Sequence, residues 1–202
     1  MNNKHMQKII KVFNEHDGFA RTKDILETGV HFRNISKLEK EGIIFKIKRG
    51  LYKLSDSDFD EYNELVEATK IVDKGVICLL SALDYYDYTT YNPWEYYIAI
   101  YRDSKKPIIP EYPPIKIIYF SKKQFEMGIN TISINGNEVK IYDKEKTICD
   151  CTRYRNKIGM DIFKEAIYAY LNDKDKSINK LLKYADILGV KNVLSDYLEV
   201  LL

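Results

Sequence analysis

The first 54 residues set three short helical patterns ahead of a strand-turn-strand, an order that few small folds accommodate. Met6, Ile9, Ile10 and Phe13 recur at helical spacing over residues 3–15, and His16-Asp17-Gly18 ends that helix. Thr22 stands where a second helix over residues 23–27 would be capped, with Ile25 and Leu26 as its apolar positions. Thr28-Gly29 supplies a turn. A third helix is expected over residues 30–41, with Ile35 and Leu38 turned inward and Gly42 as its stop. Two helices joined by a glycine-containing turn are the helix-turn-helix pattern. Residues 43–54 then read as strand, turn and strand, with Lys46, Lys48 and Arg49 at the tip and Gly50 free to adopt a positive φ. The whole predicts a winged helix-turn-helix.

Charge is unevenly divided. Residues 1–54 carry 12 Lys and Arg against 6 Asp and Glu, a net of +6; the remainder carries 20 against 24, a net of −4, and the two sum to the chain's +2. A basic end on a balanced chain points to a polyanion-binding module joined to something else. On the third helix Arg33, Ser36, Lys37 and Lys40 fall on one outward stripe, the basic and hydrogen-bonding face a helix needs to enter a major groove. Duplex DNA is the expected partner of these four residues and of Lys46, Lys48 and Arg49 on the wing. The same pattern also suits a tri-helical core with a solvated third helix, or a protein-interaction module.

Beyond this, Ser55-Asp56-Ser57-Asp58-Phe59-Asp60 is a polar, acidic break and is read as a linker, dividing the chain into 1–54, 55–60 and 61–202. Its lack of apolar periodicity predicts that few core contacts cross it and that the halves are separable. A helix is expected over residues 61–72 and a short buried strand or helix start over 75–80. Strands are expected at 96–101 and 115–120. Asn135-Gly136 is the chain's strongest hairpin signal, between 129–134 and 138–142. The last third reads as four helices, over 144–154, 160–171, 177–188 and 191–202, the first capped by Asp143. The fold class is thus α+β: a winged helix-turn-helix followed by a mixed α/β domain with a helical C-terminal part.

Chemistry is sparse. No phosphate-binding glycine loop, dinucleotide fingerprint, nucleophile elbow or HExxH occurs, and three histidines with three cysteines outside any CxxC pair suggest neither a metal site nor a disulfide framework. No cofactor is expected. Glu138-Val139-Lys140 on a hairpin strand is the one enzyme-like pattern: metal-dependent nucleases bind Mg²⁺ through carboxylates and set a lysine beside the attacked phosphate. The strand expected to pair with it, Thr131-Ile132-Ser133-Ile134, offers no second acid. Asp143, Glu145 and Asp150 are explained by the dipole of a helix start, and Lys146, Arg153, Arg155 and Lys157 by that of its end. Tyrosines gathered at 85, 86, 88, 91, 96, 97 and 101 suit a sheet core with hydroxyls at its rim, and in part an interface. No stretch reaches the roughly 18 apolar residues of a membrane span, and the start lacks an apolar signal core, so a cytoplasmic protein is expected.

The run Gly42-Ile43-Ile44-Phe45-Lys46-Ile47-Lys48-Arg49-Gly50-Leu51-Tyr52 resembles the wing of AbiEi-type antitoxins, in which two glycines, an Arg and a Tyr punctuate apolar positions. The resemblance continues in order through Cys78-Leu79-Leu80-Ser81-Ala82-Leu83, the strand ending at Tyr101, and Asp143-Lys144-Glu145-Lys146-Thr147-Ile148-Cys149-Asp150. It implies a DNA-binding repressor and antitoxin of a type IV toxin-antitoxin system. Its winged helix would bind operator DNA and repress its own operon, and the remainder would counter a nucleotidyltransferase-like toxin. It implies a protein that is not an enzyme. Lys48 and Arg49 match the wing motif and Glu145, Thr147 and Asp150 the helix motif, to which the family pattern attaches no role. A nuclease or nucleotide-processing enzyme of a defence system, with Glu138 and Lys140 in its site, is the competing reading; an interaction scaffold is a third.

Overall fold

The computed structural model describes residues 3–55 and 63–201 of the 202-residue chain. Helix α1 (Asn3–Glu15) leads into strand β1 (Phe19–Arg21), then α2 (Thr22–Glu27) and α3 (Phe32–Lys40). Strands β2 (Ile44–Lys48) and β3 (Leu51–Leu54) form the wing hairpin. Strand β1 pairs antiparallel with β3, giving a three-stranded sheet in the order β1-β3-β2. At three residues β1 is too short for an alternating pattern to reveal it. The third helix begins at Phe32 and not at residue 30, because the His31 ring accepts a hydrogen bond from the Arg33 amide and caps it. Ile9, Phe13, Ile25, Ile35, Leu38 and Ile44 are buried together and make a small core of their own.

The second part opens with α4 (Asn63–Ile71), β4 (Val76–Ile77) and α5 (Leu79–Tyr85), followed by β5 (Tyr96–Tyr101) and β6 (Ile115–Phe120). A short α6 (Lys122–Glu126) precedes the hairpin of β7 (Ile129–Ile134) and β8 (Asn137–Tyr142). Helices α7 (Lys144–Ile158), α8 (Met160–Asn172), α9 (Ile178–Leu188) and α10 (Lys191–Leu201) complete the chain. The expected hairpin, both long strands and all four late helices are present. Helix α6 was not foreseen: it is one turn long and is held by a capping box between Ser121 and Gln124. The fold is α+β, as expected.

The five strands form one mixed sheet in the order β6-β5-β4-β8-β7. Two-residue β4 sits at its centre, antiparallel to β5 and parallel to β8. Alternation along each strand separates two cores. Val76, Ala99 and Tyr142 face the helical layer with Leu83, Ile148, Phe163, Ile167 and Leu181, while Ile77, Ile98 and Ile141 face the other side with Leu65, Val66 and Ile71 of α4. At the β7–β8 turn Asn135 and Gly136 both have positive φ, which a two-residue hairpin of this twist requires.

The expectation that few core contacts cross from the first part to the second is overturned. Ile47 and Leu51 of the wing are buried in the same cluster as Leu65, Ile71, Val139 and Ile141. Arg21 pairs with Asp73 at 3.2 Å and Lys53 with the nearly buried Glu67 at 2.5 Å. Asn137 Nδ2 donates to the Asp17 carbonyl, and the hairpin tip approaches so closely that a Cβ on Gly136 would lie 3.0 Å from Asp17 Oδ1. The composition of the break says nothing about the elements on either side, and those elements carry the seam. Of the expected linker, Ser55 is exposed in a turn and residues 56–60 lie outside the described residues.

Candidate nucleic-acid interface

Helix α3 has a sharp division of faces. Ile35 and Leu38 are wholly buried and fix its orientation, while Arg33, Lys37 and Lys40 are exposed and Ser36 is half-buried beside them. Lys37 is lightly tethered by Glu41 at 3.6 Å, one turn on, an exposed pair of small energetic weight. Helix α3 lies against β2, so the wing and the helix share one small core. On the wing Lys46 and Arg49 are exposed. Gly50 takes φ 82° and closes the turn, and a bulge between Lys46 and Lys48 bends β2.

Lys48 does not follow its neighbours. Its Nζ donates to the Ile71 carbonyl at 2.6 Å, at the C-terminal end of α4, where a cation meets the negative pole of the helix dipole. Burial holds its pKa below the usual lysine value, with Asp73 opposing the shift. The sequence placed Lys48 at the wing tip beside Arg49; the structure turns it back into the seam. Two aromatic side chains were missed. Phe32 and Phe45 are each 49% exposed next to the cations of α3 and β2. Apolar residue type argued for the core, and only the position of Phe45 next to inward-facing Ile44 could have signalled otherwise.

The arrangement presents Arg33, Lys37, Lys40, Lys46 and Arg49 to solvent, with hydroxyl and aromatic groups between them. Such a surface can neutralise phosphates and offer hydrogen bonds and apolar contact to base edges. Residues 7–54 match the family model described as "Transcriptional regulator, AbiEi antitoxin". The match supports the AbiEi-type resemblance over the α1–β3 segment that carries this surface. No curated protein matches the chain.

The other AbiEi-like motif, at the start of α7, has a different character. Asp143 caps α7 by accepting from the Lys146 amide at 2.8 Å. Glu145 is buried and accepts from Tyr170 Oη and the Ser177 amide, each at 3.2 Å, and pairs with Lys180 at 2.9 Å. Thr147 Oγ1 donates to the Tyr142 carbonyl at 3.3 Å. Asp150 is 1% exposed and is paired with Lys146, whose ammonium lies 4.1 Å from the Tyr142 ring and 4.7 Å from the Phe120 ring. Burial pushes the Asp150 pKa up to about 6 against the opposing pull of Lys146, and its Oδ1 has no hydrogen-bond partner among the described residues. Glu145 and Thr147 therefore knit α7 to α8, α9 and β8, Asp150 pairs within α7, and all three are buried. Reading Lys146 as part of a basic stripe at a helix end was wrong: it is wholly buried in the helix's first turn.

Glu138 and Lys140 are exposed on β8. They line a cleft of about 250 Å³ with Arg21, Lys70 and Asp73. Asp73 is the second acid that the hairpin lacks, but its carboxylate is held by Arg21. Among the described residues no group of three or more His, Cys, Asp or Glu could hold a metal ion, and no helix is long and apolar enough to cross a membrane.

Proposed function

We propose that this chain is a cytoplasmic, non-enzymatic repressor and antitoxin. Its first 54 residues bind double-stranded operator DNA through α3 and the wing, repress its own operon, and the part beyond residue 60 counters a nucleotidyltransferase-like toxin of an abortive-infection system. The observation that carries the DNA reading is the exposed basic face of α3 and β2, backed by a wholly buried apolar one, within the segment that matches a transcriptional-regulator family. Arg33 and Lys37 read bases; Lys46 and Arg49 hold phosphates. The antitoxin half rests on the family match and on the order of the AbiEi-like motifs.

Affinity for duplex DNA from upstream of the gene, measured in EDTA, tests this reading. Arg33→Ala is expected to weaken the specific duplex about ten- to a hundredfold and random duplex less, consistent with the roughly 1–3 kcal/mol of a good base contact. Arg49→Ala is expected to weaken both alike. Equal losses on both duplexes for Arg33 and Arg49 would contradict helix α3 as the reader. For the second half, co-expression with a nucleotidyltransferase-like gene adjacent to this one is expected to restore growth; continued toxicity with the protein folded and present would contradict it.

A further inference from the structure

The seam between the wing and the mixed sheet encloses a cleft of about 540 Å³ that the DNA reading leaves unused. Its floor is apolar, offered by the exposed Ile108 and half-buried Pro107 over the buried Ile71, Val72 and Ile100. Its rim is cationic: Lys48 and Arg49 from the wing, Lys74 after α4, and Lys105 and Lys106 after β5. Five cations thus face one carboxylate, Asp73, which is already engaged by Arg21. Lys48 is satisfied by the Ile71 carbonyl. Arg49, Lys74, Lys105 and Lys106 have no hydrogen bond or ion pair among the described residues. Four uncompensated cations around one apolar hollow repel one another, and a multivalent anion relieves that repulsion.

The hollow is within the roughly 300–1,000 Å³ of small-ligand sites and is far too small to admit a duplex. A phosphodiester backbone crossing the rim would leave the apolar floor empty. A molecule that joins a planar, weakly polar group to one or more phosphates uses both. We propose that this cleft binds a small phosphorylated ligand of the mononucleotide class, its base against Pro107 and Ile108 and its phosphates among Arg49, Lys74, Lys105 and Lys106. Arg49 also belongs to the wing, so occupancy withdraws a cation from DNA and loosens the protein's hold on it; this second step rests on the DNA-binding reading.

Thermal unfolding of the full chain, in the presence of each of the four ribonucleoside triphosphates or of inorganic phosphate, tests the site. At about a hundredfold excess over Kd, a nucleotide is expected to raise the midpoint by about 5 °C, and inorganic phosphate by much less. Lys105→Ala/Lys106→Ala is expected to melt like the parent without ligand and to lose the nucleotide shift. Flat midpoints with every nucleotide overturn the site. A shift that survives Lys105→Ala/Lys106→Ala overturns its location, and a shift matched by inorganic phosphate overturns the role of the floor. The nucleotide that shifts the midpoint is expected to lower affinity for the upstream duplex in the parent and not in the double variant. Failure of the parent to bind any duplex would sink the repressor reading while leaving the melting result to stand by itself.

Discussion

The α1–β3 unit and the start of α7 are both rich in charge and put it to opposite ends. In the first, Arg33, Lys37, Lys40, Lys46 and Arg49 point outward over a wholly apolar core. In the second, Glu145, Lys146 and Asp150 point inward and are buried among Tyr142, Phe120 and Tyr170. An exposed cation, even one lightly paired as Lys37 is with Glu41, has little to do with stability and is free to meet a polyanion. A buried pair contributes little net stability either, but it becomes costly to disturb, because a single remaining charge has no water to turn to. Motif residues at the two places are therefore expected to fail differently when replaced.

The largest effect should come from breaking the inward set. Asp150→Ala leaves the Lys146 ammonium buried and is expected to cost about 3–5 kcal/mol, read as a fall of roughly 10 °C in the unfolding midpoint. Replacing both partners, Lys146→Met/Asp150→Leu, should recover most of it. Arg33→Ala should stay within about 0.5 kcal/mol of the parent. Similar destabilisation at Arg33 and Asp150 would erase the distinction drawn between the two regions.

Next comes the seam. Leu51→Ala removes buried contacts to α4 and is expected to cost about 2–4 kcal/mol while preserving a single unfolding transition for the whole chain. A chain starting at residue 61 would uncover Leu65, Val66, Ile71 and Val72, so it should unfold at a lower temperature than the same elements within the full chain. Two separate calorimetric transitions in the parent would restore the separable halves that the acidic break suggested.

A smaller effect follows from pH. The folded Asp150 pKa, about 6, lies above its ordinary value of 3.8, so the folded state binds a proton more readily than the unfolded one. Its contribution therefore rises as pH falls from 7 through 6 toward 4. Asp173 works in the opposite direction: the hydrogen bonds from Lys144 and Tyr88 hold it down to about 2, so its contribution is lost only as pH falls below 4. Stability of the parent against pH should show the first rise, and Lys146→Met/Asp150→Leu should lack it.

Periodic segments were legible in the sequence. The wing hairpin, the Asn135-Gly136 turn and the late helices all repeat an apolar spacing over enough residues to be read. What escaped were elements too short to have a period, β1 and α6, and relations that depend on tertiary approach. Nothing local marks Lys48 as facing Ile71 while Arg49 faces solvent, since both are cations at one turn. Nothing local separates Lys146 from Lys144 either; the difference is made by Tyr142, Phe120 and Asp150 closing around one of them. The seam was hidden because composition of a connecting segment reports its own solvation and not the packing of its neighbours.

The claim on which the account turns is that the outward cations of α3 and the wing bind duplex DNA. The logarithm of affinity for the upstream duplex, followed against the logarithm of salt concentration, tests it most directly. With four to five phosphates met by Arg33, Lys37, Lys40, Lys46 and Arg49, the slope should be about −4, and Arg33→Ala/Lys37→Ala/Lys40→Ala should flatten it to about −2 while keeping the parent's unfolding midpoint. An affinity indifferent to salt, or a triple variant that binds like the parent with the same slope, would contradict the account.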